Sequence, residues 1–157
     1  MQITGLVVSA IALLVSGVAV RYTTRTDKRD VFLKLHETLI SPELQRGRRV
    51  LFDLYRRQGV VEDLRQEDYE LANRALAALD VAAYYCEKKY VSEQDFLDLW
   101  APALGRLKYA AAPFIEHRDG MFPGIPVWPH YRRLASQAEL RLTSSGVAAS
   151  VLSDRNL

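Results

Sequence analysis

The sequence predicts an all-α protein: an N-terminal transmembrane helix followed by a helical bundle of about four to five helices. Three observations carry this expectation. Residues Ile3 to Val20 run for eighteen positions without a charge. Beyond them, apolar residues recur at three- and four-residue spacing, which places them on one face of a helix. No segment sustains the period-two alternation of a half-buried strand.

About 18–20 apolar residues in a helix cross the hydrocarbon core of a bilayer, so residues 1–22 read as an anchor. A cleavable signal peptide would need a basic start. Only Met1 and Gln2 precede the run, although Gly17-Val18-Ala19 has the small side chains of a cleavage site. A buried core helix would keep a polar face, and only Thr4, Ser9 and Ser16 interrupt this one. The retained anchor is therefore preferred. Arg21, Arg25, Lys28 and Arg29 follow at once. By the positive-inside rule they place the N-terminus outside and the C-terminal domain in the cytoplasm, at the inner (plasma) membrane. The lone Cys86 agrees, since secreted domains more often carry paired cysteines. The same basic residues make membrane lipid an expected partner. Gly5, Ser9, Ala12, Ser16 and Ala19 form a small-residue stripe that would let two such helices associate into a homo-oligomer, although small residues are common in spanning helices anyway.

Residues 23–141 read as one cytoplasmic bundle and residues 142–157 as a flexible tail. The first bundle helix spans 30–40, with Val31, Leu35 and Leu39 on one face. Ser41-Pro42-Glu43 supplies an N-cap, a first-position proline and an acid at the positive end of a helix dipole. That second helix should run to Gln58 and end at Gly59, which tolerates the left-handed conformation, with Leu44, Val50, Leu51, Leu54 and Tyr55 as its stripe. A third helix over 66–89 carries Leu71, Ala75, Ala78, Leu79, Ala82 and Cys86; its alanines predict close neighbours. Ser92 and Asp95 form a near capping box for a fourth helix bearing Phe96, Leu99, Trp100, Leu104, Leu107, Ala111, Phe114 and Ile115. Pro102 and Pro113 should bend or divide it. Residues 119–129 read as a proline-rich loop whose apolar side chains Phe122, Ile125, Val127 and Trp128 are expected to fold back over the core, exposure to a partner or membrane being the alternative. A last helix over 128–140 presents Tyr131, Leu134 and Ala138.

Net charge is +2, so the composition offers no global case for nucleic acid. Charge is nonetheless segregated. Residues 21–57 hold ten basic and five acidic groups, 58–100 four and ten, and 101–157 seven and four, as expected of helices that complement one another. Catalytic signatures are missing. None of His36, His117 and His130 has the Glu three positions before it that di-iron bundles use, and no His-Glu-x-x-His pattern occurs. A catalytic thiol needs a nearby base and a lowered pKa, whereas Cys86 falls on a small-residue helix face. Neither a Gly-x-Ser-x-Gly elbow nor a Walker-type loop is present. The residues with the chemistry to contact an anion or a partner are Arg46, Arg48, Arg49, Arg106, His117 and Arg118. For the arginines, a solvated basic face near the membrane is the plainer use. For His117 and Arg118, so is a role at a helix C-terminus.

The anchor, Gln45-Arg46-Gly47-Arg48-Arg49, Tyr84-Tyr85, Val91-Ser92, Leu99-Trp100 and Pro113-Phe114-Ile115-Glu116-His117-Arg118 together resemble a family of uncharacterised bacterial single-pass membrane proteins with a short cytoplasmic helical domain. The resemblance spans most of residues 1–140. It implies the architecture and carries no activity. The expectation from sequence is a membrane-anchored helical binding or scaffolding module rather than an enzyme, with no cofactor or metal and with an unidentified protein partner. The alternative is an effector or enzyme acting on an anionic ligand through Arg48, Arg49, Arg106 and His117.

Overall fold

The computed structural model describes residues 28–144. The expected anchor, its stripe from Gly5 to Ala19 and the chain beyond Ser144 lie outside the described residues. Within 28–144 the protein is all-helical: α1 (28–39), α2 (Pro42–Arg56), a 3-10 turn (Val61–Asp63), α3 (Gln66–Glu87), α4 (Glu93–Ala110), α5 (Ala112–Met121) and α6 (Pro129–Ser144). No strand occurs among the described residues, and no helix there is long and apolar enough to cross a membrane.

Helix α3 is the mast of the bundle. Helix α2 packs along one side of it and α6 along another, while α4 closes the layer chiefly against α6. The core between them is leucine-rich: Leu39, Leu51, Leu76, Leu79, Leu104, Leu107 and Leu134 are fully buried, with Phe96, Phe114 and Tyr131 as the largest inserts. Each such side chain contributes about 1.5–3 kcal/mol by leaving water. Leu99 and Tyr55, expected on the apolar stripes, are exposed instead, and Leu76 takes the core position that the spacing assigned to Leu71. Most of the rest of the expected stripes is buried: Ala75, Leu79, Ala82 and Cys86 on α3, and Phe96, Trp100, Leu104 and Leu107 on α4.

Helices α2 and α3 meet closely at Gly47, the most crowded of the described glycines. A Cβ there would stand 2.1 Å from the Leu71 carbonyl oxygen and 2.8 Å from the Ala75 Cβ. Glycine in mid-helix costs about 1 kcal/mol of helix propensity relative to alanine. The contact it permits brings the α2 backbone onto α3 with no intervening side chain. Arg48, the next residue, reaches the other way: its Nη1 donates to the Leu39 carbonyl at 2.7 Å, and its guanidinium lies over the Trp100 ring at 5.4 Å. It thereby satisfies a carbonyl at the end of α1 and ties α1, α2 and α4 together. Burial lowers its pKa, but a guanidinium stays charged at any physiological pH.

Helix ends follow local chemistry in part. Ser92 accepts from the Asp95 amide at 3.3 Å, as its cap position requires. Ser41 occupies the N-cap of α2 but makes no side-chain cap bond; the turn is closed by Gln45, whose Nε2 donates to Ile40 O at 2.6 Å. Helix α2 stops at Arg56, and the left-handed residue is Gln58 (φ 47°), one position before the glycine expected to fill that role. Gly59 N donates to Leu54 O and Gln58 N to Tyr55 O, the paired bonds of a Schellman end. Helix α3 ends identically, with Lys89 at φ 61° and bonds from Tyr90 N to Tyr85 O and Lys89 N to Cys86 O. Of the two interior prolines, Pro102 is passed without a break. Pro113 lies in the first turn of α5, where its missing amide is not needed, and the helix divides there at Ala111. Helix α6 continues to Ser144, past its expected end at Leu140.

These contacts give the bundle two distinct ends. Lys28, at the start of α1, shares a groove with Cys86, Glu87, Lys89, Val91 and Glu93 at the C-terminal end of α3. The 3-10 turn and α5 lie at the other end, around Tyr69. From Tyr69 to Cys86 the helix rises roughly 25 Å.

Replacing Gly47 by alanine should destabilise the protein by about 1–3 kcal/mol, the cost of overpacking outweighing the gain in propensity. Gly120 also lies in a helix, but nothing stands within 4 Å of its missing Cβ. There the same substitution should stabilise by up to about 1 kcal/mol. Denaturant unfolding of the two variants checks the contrast.

Candidate functional site

Two grooves indent the bundle, one beside Lys28 and one at the opposite end. The second, of about 600 Å³, is walled by Gly59, Val60, Val61 and Glu62 on one side and by Pro113, Glu116, His117, Gly120 and Met121 on the other. Its position follows from chain geometry. The Schellman end of α2 turns Val60 outward and buries Val61 beneath it, and α5 crosses beside them after the Pro113 break. His117 Nδ1 lies 3.1 Å from Glu62 Oε1 and joins the two walls.

Val60 and Met121 give the groove an apolar edge, and two further apolar side chains, Phe122 and Ile125, are exposed in the loop that follows Met121. Val60 is 55% exposed, Met121 53%, Phe122 47% and Ile125 69%. The expected fold-back of loop 119–129 is thus corrected: helix α5 takes residues up to Met121, the segment 122–126 faces solvent, and only Val127 and Trp128 tuck in. The reason lies in what holds each end of the loop. Asp119 accepts from the Val127 amide at 3.1 Å and pairs with Arg132 of α6, so α5, the loop and α6 meet at one carboxylate. Both contacts hold the Asp119 carboxyl below its ordinary pKa, the Arg132 hydrogen bond most strongly. Trp128 takes a left-handed backbone (φ 48°), unusual for a bulky side chain, and stacks on Phe114 at 6.0 Å. With five residues tethered so tightly behind it, the tip has no room to reach the core.

Arg118 is the keystone below this rim. Its Nη1 donates to the Tyr69 hydroxyl at 3.2 Å, and its guanidinium lies between Phe122 at 5.3 Å and Trp128 at 5.7 Å. Tyr69 in turn packs on Phe114 and donates weakly to Met121 Sδ at 3.8 Å. The Arg118 Nε is buried without a hydrogen-bond partner. Such a charge, flanked by two rings, keeps the apolar rim in one arrangement through cation–π attraction.

The six residues singled out in the sequence divide among different surroundings. His117 and Arg118 meet at the groove through Tyr69. Arg48 is engaged with Leu39 and Trp100. Arg106 bonds back to Pro102 O of its own helix at 3.3 Å, and Arg46 and Arg49 are exposed on α2. Neither groove is lined by Arg46, Arg48, Arg49 or Arg106. The site residues missed in the sequence are Val60, Tyr69 and Met121. Val60-Val61 in a connector just after Gly59 was the available signal, because apolar residues outside a helix must either be buried or be offered to a partner.

Cys86 lies at the end opposite the groove, where burial pushes its thiol up to about 12, so it is inert as a nucleophile at neutral pH. Among the described residues, no group of three or more His, Cys, Asp or Glu side chains is placed to hold a metal ion. No protein-family model matches the chain, and neither curated proteins nor solved structures show a significant match to it.

Asp119→Ala should free the loop while leaving the helices intact: hydrogen exchange at the Val127 amide, which Asp119 accepts from, accelerates severalfold at unchanged helical content. Because folding lowers the carboxyl's pKa, its contribution is complete above the ordinary Asp value of about 4 and is lost as pH falls through the lower folded value. The wild-type loop should therefore loosen only in strong acid.

Proposed function

We propose that this protein is a single-pass membrane protein whose all-α bundle is a cytoplasmic binding or scaffolding module rather than an enzyme. The anchor is residues 1–22, with the N-terminus outside the inner membrane. Support for the anchor is the uncharged run Ile3–Val20 with its basic exit. Residue 28, where the described chain begins, lies at one end of the bundle and the groove lies at the other. A tether at one end leaves the groove facing the cytoplasm.

One observation carries the binding role: Val60 and Met121 are exposed where they line the groove, and Phe122 and Ile125 are exposed in the adjoining loop, which Arg118 holds at Phe122 and Asp119 at Val127. Large apolar side chains fixed outward in a rigid setting are the anatomy of an interface, since burying them in a partner returns the free energy their exposure costs. The polar side chains lining the groove are Glu62, Glu116 and the Glu62-bonded His117. The partner chemistry that fits is a protein segment with apolar anchors flanked by lysine or arginine. Self-association through the Gly5–Ala19 stripe would present two such grooves on one assembly.

The rival reading, action on an anionic ligand through the Arg/His cluster, has less support. Arg48 is committed to the fold, and the remaining arginines of that set do not meet His117.

A photo-crosslinking residue placed at Val60, Met121 or Ile125 of the full-length protein in intact membranes tests this reading. The expected result is one discrete adduct shared by these positions, lost with Glu62→Lys/Glu116→Lys and absent when the probe sits at the exposed Leu140. Equal labelling from Leu140, or recovery of the protein outside the membrane fraction, contradicts it.

A further inference from the structure

We infer that the corner between α3 and α4 is a membrane-contacting surface that seats the bundle on anionic lipid headgroups. The inference rests on the proposed anchor and adds to it which face of the bundle meets the bilayer. Its residues lie some sixty positions beyond the anchor in sequence, so only the fold brings them there.

Three observations carry it. The first is position. Lys28 lines a groove with Cys86, Glu87, Lys89 and Val91, so the chain outside the described residues joins the bundle at this corner. Val20 and Lys28 are eight residues apart, which bounds their separation at roughly 28 Å even in a fully extended chain. The opposite groove lies roughly another 25 Å away along α3. Of the two ends, this one is held against the bilayer.

The second is side-chain chemistry. Tyr90 is 54% exposed, Tyr84 is exposed on the last turns of α3, Tyr85 packs against both, and the Lys88 ammonium lies 5.4 Å from the Tyr84 ring. Exposed tyrosines next to lysines make an interfacial belt, in which the ring sits at headgroup depth and the ammonium reaches phosphate. The acidic groups in the groove are already matched. Glu87 takes His130 at 2.8 Å and lies within 3.8 Å of both Lys88 and Arg133, and Glu93 takes Arg133 at 3.1 Å. Counting each group at the corner once, Lys28, Arg29, Lys88, Lys89 and Arg133 face Asp30, Glu87, Glu93 and Asp95, and Lys28, Arg29, Lys88 and Lys89 are exposed.

The third is conformation. Lys89 occupies the left-handed position at the end of α3, where glycine is the usual residue, and its side chain is exposed. A basic side chain in that strained position marks the turn as one where the side chain matters. A basic, tyrosine-bearing turn beside a membrane tether fits anionic phosphate headgroups better than an apolar protein surface, which would match the other end of the bundle.

The test uses the full-length protein in nanodiscs of phosphatidylcholine, with or without phosphatidylglycerol. A nitroxide is placed at the exposed Gln94 (Gln94→Cys), and the buried Cys86 stays unlabelled. Accessibility to an aqueous nickel chelate should fall when phosphatidylglycerol is present, and Lys88→Gln/Lys89→Gln/Tyr90→Ser should abolish the fall with the fold unchanged. Accessibility that ignores lipid charge overturns the inference while leaving the anchor intact, and so does protection that appears only when two copies share a disc. A protein that does not enter the discs overturns the anchor itself.

Discussion

The contact of α2 with α3 at Gly47 is the constraint on which the rest of the bundle depends. With no Cβ to hold the helices apart, the α2 backbone reaches the Leu71 carbonyl. That depth brings Leu51 and Leu54 into the core and turns Arg48 toward α1 and α4. The end of α1 is fastened by that guanidinium, through the Leu39 carbonyl and the Trp100 ring, and by Gln45 at the Ile40 carbonyl. The segment that continues toward the proposed anchor is thus locked to the bundle in part by a residue adjacent to the Gly47 contact. Any side chain at position 47 would move both.

Helix α3 then sets the functional geometry by its length. Its first turns support the groove through Tyr69, and its last turn supports the corner that meets Lys28. The two ends differ in kind. The groove is edged by valine and methionine, with exposed phenylalanine and isoleucine in the adjoining loop, and its lining acids are Glu62 and Glu116. The corner is rimmed by tyrosine and lysine. In the proposed reading the chain is tethered by the second end and meets its partner at the first.

Much of the fold was legible because helix signals are local. The Ser92 cap and the break at Pro113 depend on bonds within a turn, and both stand where the sequence put them. The Schellman ends were not legible: Gln58 and Lys89 take the left-handed position without being glycine, so composition pointed to Gly59 instead. Leu99 and Leu76 were misassigned because two faces of a helix can both carry leucine, and only the neighbour decides which is covered. At the site, His117 and Arg118 were readable as residue types. Their meeting with Tyr69, some fifty residues away in sequence, was not. The loop was misread for a related reason: its apolar content argued for burial, but the Asp119 contacts to Val127 and Arg132 fix its ends and leave its tip outside.

The central claim is that one end of α3 faces the bilayer and the other faces away. Energy transfer to an acceptor lipid in the headgroup layer, from donors placed singly at Gln94→Cys and Ile125→Cys of the reconstituted full-length protein, measures it directly. The account predicts strong transfer from position 94 and weak transfer from position 125, with heights differing by roughly the 25 Å of helix between the two ends. Equal heights, or a donor at 125 closer to the lipid than one at 94, would contradict it.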